Sequence, residues 1–185
     1  MRPLRRTPLA LRDLSAVLWA SDGYVDRGVN PPKRTHASAG GLYPVGVLFA
    51  ARDVEGIEPG LYDYRPEDDA LCPLATGTEA AAGAFGALGL DASSSEPFSA
   101  VLVTFADLAR VRIKYGLRSY RFALVEAGLM GAHISLAATS LGIDILPLGS
   151  YLDDELEACF GLDGVNEVVV GVWALSGVKG DKARA

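Results

Sequence analysis

The sequence predicts an α+β domain, with a mixed or antiparallel sheet flanked by helices and one central buried helix, and three observations lead there. Strand-type and helix-type runs are interleaved without the regular alternation of a doubly wound fold. Phe122 to Ile145 is almost wholly apolar or small, with only Glu126, His133 and Asp144 able to carry charge. No GxGxxG or GxxxxGK[ST] follows a strand-type run, so the dinucleotide and P-loop signatures are missing. At 185 residues the chain is expected to form one domain over 1–185, large enough to bury a core without disulfides or a structural metal.

Taken in order, Leu11, Leu14, Val17 and Leu18 stand at helical spacing, and Ser21-Asp22-Gly23 stops that short amphipathic helix. Residues 22 to 41 read as one long loop, the kind of segment that binds ligands when it is ordered. Val45–Ala51 and Gly60–Tyr64 have strand composition, with a turn between them and Pro66-Glu67-Asp68-Asp69 after. Glu79–Leu90 is a weak helix and Ala100–Phe105 a buried strand, while Asp107–Ile113 is too short to assign. The buried helix covers about 121–141. Ile143–Leu146 is short and apolar, Asp153 caps a helix that runs to Phe160 and stops at Gly161, and Glu167–Leu175 is a last strand.

Composition excludes several function classes. A net charge of -6 and a pI near 4.9 argue against a phosphate-neutralising nucleic-acid surface. Cys72 and Cys159 have no CxxC or Cys/His spacing, so buried free thiols are expected, not a zinc site or disulfide framework. The basic N-terminus lacks the apolar run and cleavage site of a secretory signal, so a cytoplasmic location is expected. The 122–145 stretch reaches spanning length, but it is rich in Ala, Gly and Ser, holds Glu126 and His133, and meets Gly142 near its end. A helix buried on all sides accounts for it better than a membrane span, and needs a thick core or a partner subunit to cover it. His36 falls in the suspected ligand loop, and His133 reads as a hydrogen-bonded core residue. Neither stands at metal-ligand spacing, so no metal is expected. Without a GxSxG elbow, hydrolase chemistry has no support.

Three runs could carry chemistry. Ser38-Ala39-Gly40-Gly41-Leu42-Tyr43-Pro44 is either an ordinary glycine turn or a place where bare backbone approaches a flat ligand. Arg112 to Arg121 holds four cations and two tyrosines with no acid, which is either a solvated helix start or a site for something anionic. In the functional reading, the flanking arginines favour neutral Lys114 and make it a proton acceptor, a role arginine itself cannot take. Pro147-Leu148-Gly149-Ser150-Tyr151 could point backbone N–H groups at a ligand, and Lys182 and Arg184 could hold a phosphate or simply be solvated.

In order, PLALRDLSAVLWASDG, SAGGLYPV, GLYDYRPEDDAL, KYGLRSYRFALVEAGLMGAHISLAATSLGI, PLGSYLDDELEACFGLD and VVVGVW resemble the SagB-type dehydrogenases. These are flavoproteins of the nitroreductase superfamily that act in thiazole/oxazole-modified peptide biosynthesis, and the resemblance covers about residues 8 to 175. It implies a nitroreductase-like fold and a homodimer with FMN at the subunit interface. Ser38, Ala39, Gly40 and Gly41 would lie along the isoalloxazine, and Leu148 and Gly149 would offer backbone donors. Lys114 and Tyr115 match the family's Lys-Tyr pair, which takes the proton as an azoline ring loses two electrons to flavin; dioxygen then reoxidises the flavin. The family's N-terminal Arg-Arg-Ser element is shortened here, so Arg5, Arg6, Lys182 and Arg184 become candidate phosphate ligands. An amino-terminal peptide-recognition region of some relatives is also missing, which implies that partner proteins, a cyclodehydratase among them, deliver the modified precursor peptide. Two further functions stay open: a general NAD(P)H-dependent flavin, nitro or quinone reductase, and a flavin-free scaffold subunit of a peptide-modifying complex.

Overall fold

A computed structural model describes residues 6–178 except 31 and 96, and the side chain of residue 92 is likewise left aside. The chain runs β1 (Leu9–Ala10), α1 (Leu11–Asp22), β2 (Tyr24–Asp26), β3 (Lys33–Arg34), β4 (Val45–Ala51), β5 (Val54–Glu55), β6 (Gly60–Arg65) and β7 (Ala70–Thr76). It continues α2 (Thr78–Gly86), α3 (Ala92–Ser95), β8 (Ala100–Asp107), α4 (Leu108–Tyr115), α5 (Ser119–Ser140), β9 (Asp144–Leu148), α6 (Asp153–Phe160) and β10 (Glu167–Ser176). Six strands form one antiparallel sheet in the order β7-β6-β4-β8-β10-β9.

The central strands are apolar on both faces because both faces are covered. Along β4 and β8, Val47, Phe49 and Leu102 join α1 and α5 in one core, whereas Leu48, Ala50, Val101 and Val103 join α2 and α6 in the other. The strand period of two thus divides one continuous hydrophobic run between two cores.

In α5, Ala123, Ala127, Met130, Ile134 and Ala138 face the sheet and α1 and are buried, while Leu124, Val125, Leu129 and Leu136 are exposed. The expectation of burial on all sides is therefore corrected: small residues let the helix settle on the sheet, and larger apolar ones face away from it. At Gly131, a Cβ would come within 2.5 Å of the Trp173 ring, so only glycine permits this approach. By length and composition, 108–140 could cross a membrane. Its packed face and its buried acid, Glu126, instead mark α5 as a core helix.

Other sequence expectations shift. The 22–41 loop contains the β2–β3 hairpin, and α2 ends at Gly86, not Leu90. Edge strand β7 has no clear sequence signal because Pro73 sits in a mostly exposed run, a residue that sheets accept at an edge. Asp107 caps α4 by accepting from the Arg110 N–H at 3.0 Å. The cap of α6 is Leu152, not Asp153; Asp153, Asp154 and Glu155 occupy its first turn, where acids meet the positive helix end. Both cysteines are free but half-buried. His133 is also half-buried, and its Nδ1 has no hydrogen-bond partner among the described residues.

Candidate active site

The register of the two central strands builds the site. Val45 pairs with Ala106 in antiparallel sense, so the loop entering β4 and the helix leaving β8 meet at one end of the two central strands. That places Ser38–Pro44 beside α4, although the two are far apart in sequence.

The loop is tied at several points. The Ser38 hydroxyl oxygen accepts from the Tyr43 N–H at 2.8 Å, closing the turn. The Tyr43 hydroxyl accepts from the Arg34 N–H at 3.1 Å, and the Arg110 guanidinium donates to the Tyr43 carbonyl at 2.9 Å. Gly40, Gly41 and Tyr43 have φ of 65°, 67° and 47°. Left-handed backbone suits the glycines but not a tyrosine, so these bonds hold Tyr43 in a strained conformation.

Beneath the loop lies a buried polar group. Arg34 donates to both oxygens of Asp22 at 2.9 and 2.7 Å, and His36 Nε2 lies 2.9 Å from Asp22 Oδ1. Burial alone would depress the Arg34 guanidinium, but its charge pairing and hydrogen bonds with Asp22, aided by Tyr24, raise it above its ordinary value. Glu126, on α5, is 1% exposed and accepts from the Val45 N–H at 3.4 Å through Oε1. Its Oε2 has no partner among the described residues. Burial pushes the Glu126 carboxyl up, against the Ser38 hydroxyl, His36 and the Val45 amide, which favour its charge; Asp22 adds to the push.

Lys114 and Tyr115 end α4 just before Gly116 turns the chain, with φ 53°, into α5. A Cβ placed on Gly40 would lie 2.6 Å from Lys114 Nζ and 2.6 Å from Tyr115 Oη. The amine and the phenol therefore converge on one point of the glycine loop. Tyr115 is fixed from behind by an edge contact with Phe122, ring centres 4.8 Å apart. Arg112, Lys114, Arg118 and Arg121 are all exposed, and none is ion-paired among the described residues. Arg112 and Lys114 lie at the negative end of α4, which helps to hold them together.

The other candidates are placed differently. Leu148 ends β9 half-buried, and Gly149 is exposed, where an added Cβ would meet nothing within 4 Å. Arg6 is paired with Asp53 at 3.8 Å, beyond the far end of β4 from the glycine loop. Arg5, Lys182 and Arg184 lie outside the described residues. A polar cleft of about 260 Å³ opens behind Tyr43, between Arg34, Asp63, Glu67 and Arg110, and touches neither Lys114 nor Tyr115. A hollow of about 530 Å³ lies at the start of α5, lined by Leu117, Tyr120, Arg121, Leu124 and Val125. Sequence reasoning places Arg34 in the suspected ligand loop and Tyr43 in the glycine run without giving either a role, and it misses Glu126 as part of this region. For Glu126 a signal existed, since an acid inside an apolar helix needs partners.

The chain belongs to the nitroreductase family, whose model matches residues 1–177. A Methanocaldococcus jannaschii protein that carries the nitroreductase name is 34% identical over 151 residues, 81% of this chain and 73% of that protein. The microcin B17-processing protein McbC of Escherichia coli is 27% identical over 162 residues, 85% of this chain and 58% of its own length. Among solved structures, a chain of the E. coli microcin synthetase McbBCD complex with truncated pro-MccB17 bound matches with a TM-score of 0.81 at 26% identity. That match covers 94% of this chain but 65% of the other, so this chain spans less than two thirds of the microcin relative by either comparison. A nitroreductase-type structure from Desulfovibrio desulfuricans in complex with FMN shares the fold, with a TM-score of 0.59 at 13% identity, over 100% of this chain and 85% of that one.

Proposed function

We propose that this chain is an FMN-dependent dehydrogenase that oxidises azoline rings in a ribosomal peptide to thiazoles or oxazoles. One observation carries the reading: Lys114 Nζ and Tyr115 Oη converge at Gly40, where a side chain would fill the gap between them. Membership of the nitroreductase family makes the chain an oxidoreductase, and that family together with the fold shared with an FMN-bound structure supports FMN as its cofactor. The residues fit such a group, since Gly40 and Gly41 keep side chains out of the loop and Arg112, Arg118 and Arg121 offer charge unmatched by acid. Ser38, Ala39, Gly40 and Gly41 would flank its ring system, with backbone donors from Leu148 and Gly149. FMN supplies the two-electron acceptor.

This chain's residues handle the proton. As the azoline ring is oxidised it loses one proton beyond the hydride, and Lys114 or Tyr115 takes it. The Phe122 edge contact keeps the phenol from swinging away. In this reading a homodimer covers the exposed Leu124, Val125 and Leu136 face of α5 and a cyclodehydratase is a partner, while the likeness to McbC supports a precursor peptide substrate handled in a complex.

The test begins with the absorbance spectrum of the purified protein and continues with an azoline peptide and its biosynthetic partners. Lys114→Ala is expected to keep flavin and lose about 10² to 10⁴ of turnover. A yellow wild-type protein that leaves the azoline peptide unchanged under those conditions sinks the proposal. A second reading, an NAD(P)H-dependent reductase of small quinones or nitro compounds, draws on the 34% identity to the archaeal nitroreductase. Rapid flavin bleaching by NADPH, unaffected by Lys114→Ala, supports that reading instead.

A further inference from the structure

We propose that Glu126 is a positioning residue, its buried carboxyl holding the Ser38–Tyr43 loop so that Gly40 meets Lys114 and Tyr115. The inference rests on the functional reading above for its consequence, but its geometry stands without it. Glu126 lies on α5, and its hydrogen bond reaches the exit of the loop. Its Oε1 accepts from the Val45 N–H, which fixes the exit of the loop where β4 begins. At the entrance, the Ser38 oxygen accepts from the Tyr43 N–H, which leaves the hydroxyl proton to donate, and Glu126 Oε2 has no hydrogen-bond partner among the described residues, an acceptor for which the Ser38 proton is the proposed donor. One carboxyl would thereby join both ends of a loop whose middle is left-handed at Gly40 and Gly41.

An acid that merely filled space here would be poorly suited to it. The site is closed to solvent, Glu126 has no cation bonded to it among the described residues, and an apolar residue of similar size would avoid the desolvation penalty. The groups that act on it from other elements are Asp22 at the end of α1, with His36, Ser38 and the Val45 amide on and beside the loop. Arg34 neutralises Asp22 through two hydrogen bonds and Tyr43 rests on the Arg34 backbone, so the same set of groups braces the loop from its other side. What the carboxyl gives in return is order in a segment that carries no regular strand or α-helix of its own.

The experiment is a double-mutant cycle on the full chain with Glu126→Gln and Ser38→Ala, read by amide hydrogen exchange without added FMN and by FMN titration. Each single change is expected to speed exchange of the Tyr43 amide about tenfold and to weaken FMN binding by a similar factor. The double variant is expected to match the weaker single variant. Amides in the middle of α5 serve as a control and stay within twofold of wild type, which a general loss of structure would not allow. Tyr43 exchange within twofold of wild type in Glu126→Gln, or multiplicative effects in the double variant, overturns the inference. If Glu126→Gln does not fold, Ser38→Ala decides the matter: faster exchange at Val45 as well as Tyr43 supports the link through Glu126, and an unchanged Val45 amide removes it. A wild-type protein that does not bind FMN defeats the functional reading and leaves the exchange result to stand or fall separately.

Discussion

Two loops are candidates to flank a flat ligand, and they are built in opposite ways. Ser38–Pro44 is tied by Ser38, Tyr43, Arg34, Arg110 and Glu126, and it holds strained backbone in place. Pro147–Tyr151 starts as the end of β9, where Pro147 and Leu148 pair with Trp173 and Val172, and the Ser150 hydroxyl donates to the Leu88 carbonyl, but Gly149 between them is exposed in open space. If both loops flank the ligand as proposed, the first is a wall held ready by this chain and the second is one that binding would have to complete. Preorganised walls lose little entropy when a ligand arrives, whereas open ones must be ordered at that moment.

The two loops can be told apart most sharply at their glycines. Gly40→Ala is expected to lower FMN affinity at least about 100-fold, because the new methyl meets the Lys114 amine and the Tyr115 hydroxyl on backbone that disfavours it. Gly149→Ala, with nothing nearby to meet, should change affinity by less than about threefold; fluorescence titration of the two variants decides. Equal effects would erase the distinction between the loops.

A smaller effect is expected at the tyrosine that ties the loop to Arg34. Tyr43→Phe orphans the Arg34 N–H, and should cost about 1 kcal/mol in denaturant unfolding while loosening residues 38–43 alone. On the other side, Val125→Glu introduces charge on the exposed face of α5. If a second copy covers that face, sedimentation will show a monomer, and exchange will rise in 147–151 but not in 38–43.

The least effect is one of pH. Burial raises the Glu126 carboxyl in the folded chain, so the stability tied to it is complete below the unfolded carboxylate value and falls as pH rises through the folded one. Asp22 reinforces that loss, while His36, Ser38 and the Val45 amide oppose it. Glu126→Gln cannot ionise, and its thermal midpoint should therefore decline less between acidic and neutral pH than that of the wild type. Parallel curves would show that the carboxyl titrates alike in both states.

The sheet is more legible in the sequence than the loop that the sheet serves. β4, β8, β10 and α5 announce themselves through long apolar runs, since their burial is a local property of composition. β7 hides behind Pro73, and α4 is only eight residues with a short amphipathic pattern. The Ser38–Gly41 and Lys114-Tyr115 runs stand out by residue type, but their meeting depends on the pairing of Val45 with Ala106, which no local pattern encodes. Likewise, Asp22 with Arg34 and Glu126 with Val45 are partnerships set by tertiary structure. Resemblance to a family gives those runs their partners only as expectations.

That single pairing has a thermodynamic consequence. The glycine loop feeds the start of β4 and the Lys-Tyr helix leaves the end of β8, so a ligand gripping both is a staple across the two innermost strands. Its binding energy is drawn on by global unfolding, not merely by loop opening, and saturation raises the melting temperature of the whole sheet by mass action. Heat resistance then becomes a gauge of occupancy.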